Sequence, residues 1–121
     1  MSYKERLESL MESYSIKSLL EILGRLDLKR IWGKCRKNSV KVVDNVKNAV
    51  MKNPVIQYEP LVNFGGHYFA VVDDKYVVDY VMEEQKEFNK LKVKQYARGI
   101  YDKKDYYKKM RISKWKWYKK D

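Results

Sequence analysis

The chain holds one cysteine and one histidine, so any cysteine–histidine chemistry rests on a single pair, Cys35 and His67. Cys35 stands in the string Trp32-Gly33-Lys34-Cys35-Arg36-Lys37-Asn38-Ser39. Gly33 can take a positive φ and turn the chain, and helical spacing follows it. Cys35 therefore opens a helix, where backbone N–H groups without intrahelical partners stabilise a thiolate. Lys34, Arg36 and Lys37 add positive charge, and the expected direction of the thiol pKa is down. His67 opens a strand directly after Gly65-Gly66, two residues that leave the space beside the imidazole open to a substrate. Asn38 and Ser39 either line the same site or satisfy backbone groups in the first helical turns.

Asp79 lies twelve residues after His67, in the following strand. Whether the two meet depends on hairpin register. With a three-residue loop, Asp73-Asp74-Lys75, Val72 pairs with Tyr76, and His67 and Asp79 share a face at a diagonal. With a two-residue loop the register slips by one and Asp79 turns to the opposite face. A triad of Cys35, His67 and Asp79 therefore requires the odd loop, in which Asp79 orients the imidazole and favours the imidazolium. Each residue also has a plain structural reading: a small core thiol, a hydrogen-bonded strand histidine, a carboxylate on an exposed face.

The elements that must position these residues follow from hydrophobic period. Residues 3–14 carry Leu7, Leu10, Met11 and Tyr14 at helical spacing. Ser15 caps a second helix, whose apolar face is Leu19, Leu20, Ile22 and Leu23 and whose stop is Gly24. A third helix is expected from Cys35 to about Met51, with Val42, Val43, Val46, Ala49 and Val50 as its buried stripe. Its β-branched content makes a strand the competing assignment for Val40–Val46. Strands are expected at Val55–Val62, His67–Val72 and Tyr76–Val81. Leu91, Val93 and Gln95 alternate with Lys90, Lys92 and Lys94 as a strand with a lysine face. Asp102–Met110 reads as helix or loop, and Ile112–Tyr118 as a further strand. Helices first and strands after predict an α+β fold, N-terminal helices packed on a mostly antiparallel sheet.

A length of 121 residues fits one domain. It reads as a helical lead-in (1–33), a Cys/His/Asp core (34–85) and a basic C-terminal extension (86–121). The net charge of +11 is unevenly placed: residues 1–85 hold 13 basic and 12 acidic side chains, residues 86–121 hold 14 and 4. Lys90, Lys92, Lys94, Lys108, Lys109, Arg111, Lys114 and Lys116, interleaved with aromatics, form a candidate surface for RNA, DNA or an acidic protein. One Cys and one His exclude a disulfide framework and an ordinary structural zinc site. Asp73-Asp74 reads as a turn, not a metal site. The N-terminus carries no signal-peptide pattern and no stretch approaches the roughly 18 apolar residues of a membrane span, so a cytoplasmic, reducing location without a membrane partner is expected.

The order of cysteine at a helix start, histidine opening a strand and aspartate in the next strand resembles the papain-like superfamily. That group includes transglutaminase-like and NlpC/P60-type enzymes and papain-fold bacterial toxins. The strings carrying the resemblance are Cys35-Arg36-Lys37-Asn38-Ser39, Gly66-His67-Tyr68-Phe69-Ala70-Val71-Val72 and Tyr76-Val77-Val78-Asp79-Tyr80, within residues 32–85. The resemblance implies a papain-like core in which Cys35 is the nucleophile, His67 the general base and acid, and Asp79 the orienting carboxylate. It implies no cofactor. The substrate would be a protein or amide group, and the protein an acyl hydrolase, deamidase or transferase, as in phage or bacterial effectors. Ser15–Lys34 contains no Gln or Asn to act as an oxyanion donor, as many papain-like proteases have, which leaves the Cys35 backbone N–H. Two other classes stay open: a basic nucleic-acid-binding or RNA-cleaving protein of the same fold, and a catalytically inactive interaction protein.

Overall fold

The computed structural model describes residues 13–54 and 67–112. The expected helix over 3–14, the strand at Val55–Val62, the turn containing Gly65 and Gly66, and the segment from 113 with Lys114 and Lys116 fall wholly or mostly outside these residues. Among the described residues, helix α1 (Ile16–Gly24) begins at Ser15, whose side chain accepts from the Ser18 N–H while Ser18 returns a bond to the Ser15 N–H. This reciprocal cap satisfies two of the free donors at a helix start. Helix α2 (Cys35–Asn45) follows a turn at Gly33, whose φ is +98°.

Helix α2 is shorter than its sequence suggests. It ends at Asn45; Val46 is extended and Asn48 adopts a left-handed φ of 57°. Ala49–Lys52 then forms strand β1, paired from Ala49↔Val72 to Lys52↔Phe69. Val50 is exposed and does not belong to the buried stripe, whereas Val42 and Val46 do. The reason is tertiary: an available edge on the next strand supplies hydrogen bonds to a β-branched, Asn-interrupted segment that helical propensity holds weakly.

Strands β2 (Phe69–Val72) and β3 (Tyr76–Val78) form the hairpin with the three-residue loop, and Val72 pairs with Tyr76. The loop's shape comes from Asp73 and Asp74, both left-handed with φ of 54° and 52°, a conformation Asp tolerates better than most residues. After β3 the chain makes a 3₁₀ turn (Met82–Glu84) and a short helix α3 (Lys86–Asn89). Strands β4 (Gln95–Ala97) and β5 (Ile100–Asp102) follow, then helix α4 (Lys103–Lys109), capped by the Asp102 carboxylate on the Asp105 N–H at 3.0 Å. The lysine-faced strand expected at 90–95 is thus displaced. Lys90 closes α3, Lys92 is left-handed at φ 54°, and pairing starts at Gln95.

Among the described residues five strands form one antiparallel sheet in the order β1-β2-β3-β5-β4. The α+β fold is as expected, with helices packed on the sheet. Strand alternation sorts two cores. Ala70, Val72, Tyr76, Val78 and Ile100 face Leu19, Leu23, Val42 and Val46 of α1 and α2. Phe69, Val71, Val77 and Tyr101 face Met82, Phe88, Tyr106 and Met110. Among the described residues no helix is long and apolar enough to cross a membrane.

Candidate active site

Three chain segments converge beyond the ends of β2 and β3. His67 was expected to open its strand and Asp79 to lie within the next, but β2 starts at Phe69 and β3 ends at Val78, so both stand just outside the paired residues, at the end of the hairpin away from its three-residue loop. Their side chains meet: His67 Nε2 and Asp79 Oδ2 are 2.7 Å apart, both fully buried. A carboxylate accepts only, so Nε2 carries the proton of this bond.

Asp79 has four polar anchors. Its backbone N–H donates to the Gly99 carbonyl at 2.9 Å. Its Oδ1 accepts from the N–H of Met82, the first residue of the 3₁₀ turn, at 3.0 Å. Its Oδ2 accepts from His67 and also from the Tyr106 hydroxyl, at 2.6 Å. Burial first, and the Asp79 charge second, keep the Tyr106 phenol well above its ordinary pKa, so it serves as a donor. Tyr106 is locked by ring contacts to Phe69, Phe88 and Tyr101. Every oxygen of the buried carboxylate is thereby satisfied, as burial of a charge demands.

The other ring nitrogen of His67, Nδ1, is buried and has no hydrogen-bond partner. Cys35 occupies its neighbourhood, at the first position of α2, half-buried and free. The thiol and the imidazole are close enough to shift each other, yet short of a formed hydrogen bond; catalytic contacts often tighten only around substrate. Burial pushes the Cys35 thiol up, but the nearby His67 ring, with the Tyr68 backbone, outweighs it and holds the thiol below its ordinary 9.0. Burial likewise pushes His67 down, and the charge and hydrogen bond of Asp79, then Cys35, raise it from 6.5 to about 10. At neutral pH the ring is an imidazolium beside an acidified thiol.

The flanking cations were expected to acidify Cys35; the His67 ring and the Tyr68 backbone do so. Lys34, Arg36 and Lys37 project from a helix start whose opposite face carries Cys35, Ser39, Val42 and Val46 inward.

Asn38 and Ser39 have contacts of two kinds. They border, with Cys35, Tyr68 and Asp79, a cavity of about 10 Å³, room for roughly one water molecule. They also hold the backbone. Asn38 clasps Lys29, accepting from its N–H at 2.9 Å and donating to its carbonyl at 2.7 Å, and the Ser39 hydroxyl donates to the Cys35 carbonyl at 2.8 Å.

Three contributors escaped the sequence. Tyr106 holds Asp79; its only legible trace is its place four residues before Met110 on one helical face. Trp32 stacks on the His67 ring, centroids 5.8 Å apart and planes within 4°, and remains 45% exposed. The Tyr68 backbone lies near enough to Cys35 to help lower its thiol. Away from this site, the described part of the basic extension is partly self-neutralised. Lys90 pairs with Glu87 and Lys109 with Asp105, while Lys94 sits 5.2 Å from the Tyr96 ring. Lys92, Lys108 and Arg111 have no ion pair among the described residues.

Compared with known proteins, the chain matches no family model, no curated protein and no solved structure.

Proposed function

We propose that the protein is a papain-like cysteine hydrolase or acyl transferase acting on amide or thioester bonds. The observation that carries this reading is the half-satisfied histidine. Nε2 of His67 is committed to Asp79, while buried Nδ1 has no hydrogen-bond partner and stands beside a thiol held below its usual range. A core histidine with a merely structural role would have both nitrogens paired.

In the proposed reaction the Cys35 thiolate attacks the substrate carbonyl carbon. The Cys35 N–H, among the first α2 donors without an intrahelical partner, supports the oxyanion. His67 Nδ1–H then protonates the leaving amine or thiolate, which departs and leaves a thioester on Cys35 and a neutral ring. Water or an acceptor amine, giving its proton to Nδ1, attacks the thioester; Cys35 departs as thiolate and the imidazolium is restored. Asp79 fixes the ring throughout. A free thiol of this kind suits a reducing, cytoplasmic setting.

The test is acylation by a small activated ester, followed by mass spectrometry, and iodoacetamide alkylation across pH. One acyl group per chain on Cys35, absent in Cys35→Ser and slowed in His67→Ala, is the expected result. A thiol that titrates at its ordinary 9.0 and does not acylate would overturn the proposal.

A further inference from the structure

Three cations flank Cys35, and among the described residues no carboxylate pairs with them. Lys29 pairs with Asp27, Arg30 and Arg98 with Glu83, and Lys103 with Asp74. By contrast Lys34, Arg36 and Lys37 have no ion pair among the described residues, although they are consecutive neighbours of Cys35. Arg36 reaches the Tyr68 ring, its guanidinium carbon 5.8 Å from the centroid, which puts it at the residue whose backbone helps lower the thiol. Arg36, Lys37 and Lys41 with Val40 border a shallow concavity of about 400 Å³ on the outer side of α2.

Apolar surface lies among these charges. Ile31 is 64% exposed and Val40 41%, and Trp32, stacked on His67, keeps nearly half its surface open. Large apolar side chains left exposed beside unneutralised cations mark a contact surface. The type of surface distinguishes peptide from nucleic acid. Trp32 and Tyr68 each turn one ring face to the fold, on His67 and under Arg36, and the most exposed apolar side chain here, Ile31, is aliphatic. The free apolar atoms are aliphatic, suited to a hydrocarbon side chain.

We propose that this face binds an acidic peptide segment with an aliphatic side chain, its carboxylates on Arg36, Lys37 and Lys41 and its aliphatic group against Val40, in the concavity these residues border. The segment is the acyl-donor substrate on the reading of Cys35 as nucleophile; its binding is independent of that reading.

The experiment uses the full-length Cys35→Ala protein, which binds without turnover, and fluorescein-labelled peptides read by anisotropy. The probes are a Glu-rich peptide containing one Leu, the same peptide with Leu replaced by Ser, a Lys-rich counterpart, and an oligouridylate of equal charge. The Glu/Leu peptide is expected to bind tightest. The Arg36→Glu/Lys37→Glu pair should weaken it by about tenfold or more, and raising salt from about 50 to 200 mM should weaken it too. Lys104→Glu/Lys108→Glu, the same charge change on α4, should cost less than about threefold. Equal losses from both double variants, tighter binding of the oligouridylate through Arg36 and Lys37, or no binding of the Glu/Leu peptide would each overturn the proposal. Alkylation of the wild type separates the two readings. An inert Cys35 with binding that depends on Arg36 and Lys37 removes the nucleophile and leaves the face. A reactive Cys35 with binding indifferent to them removes the face alone.

Discussion

The Tyr106 hydroxyl donates to Oδ2 of Asp79 at 2.6 Å, the same oxygen that receives His67 Nε2 at 2.7 Å. A residue on the last described helix thus shares the carboxylate oxygen that orients the histidine, from the opposite side of the core to Cys35. Tyr106→Phe keeps the ring packing and removes only the donor. It should lower stability by about 1.5–3 kcal/mol, the scale of a buried hydrogen bond to a charged acceptor. With Oδ2 serving His67 alone, the imidazolium is held more strongly and its titration should move up. Because His67 is the only histidine, its ring resonances in an NMR titration are unambiguous. A downward or absent shift would count against the shared-oxygen account.

Asp79→Asn removes the charge that opposes burial. His67, raised to about 10 by Asp79 and Cys35, should then titrate well below that value, because only Cys35 still opposes burial. Loss of the imidazolium should in turn send the Cys35 thiol upward, toward or past 9.0. NMR of His67 and the pH profile of iodoacetamide alkylation read both movements. A His67 that still titrates above 8 or so in this variant would mean that Asp79 is not its main support.

The raised His67 also dictates how stability depends on pH. A group whose folded pKa exceeds its unfolded value contributes fully below the unfolded value and loses that contribution as pH rises through the folded one. In Cys35→Ala, urea midpoints should therefore decline from about pH 6.5 upward, with the decline complete at or below about 10. The wild-type decline should be shallower. The lowered Cys35 thiol adds stability as pH rises from its folded value to 9.0, and so offsets part of the histidine loss. Parallel curves for the two proteins would contradict the coupling.

Gly99 holds Asp79 from the backbone. Its φ is +81°, its carbonyl accepts the Asp79 N–H, and a Cβ there would run into the Tyr80 ring. Gly99→Ala should cost about 1–3 kcal/mol from the left-handed backbone and the contact together. It should also slow Cys35 alkylation at neutral pH, since displacement of Tyr80 drags its neighbour Asp79. An unchanged urea midpoint would show that the β4–β5 turn yields freely.

Local chemistry made part of this protein legible in its sequence. Ser15 announces the start of α1, and the single Cys and single His restrict the thiol chemistry to one pair. The alternation on either side of Asp73-Asp74-Lys75 gives the hairpin with its three-residue loop, and so the end of the hairpin at which His67 and Asp79 meet. These features depend on residues a few positions apart, within reach of propensity and period. The tertiary structure decided the rest. Ala49–Lys52 became a strand because β2 offered an edge, not because its own residues demanded one. Tyr106 reaches Asp79 across 27 positions because α4 packs on the same sheet face as the β2–β3 pair. The cations beside Cys35 turned outward because the inner face of α2 was already occupied by Ser39, Val42 and Val46. A sequence states which groups exist and their local geometry; which of them meet across the core is set by packing, and that placed the imidazole, and not the neighbouring lysines, beside the thiol.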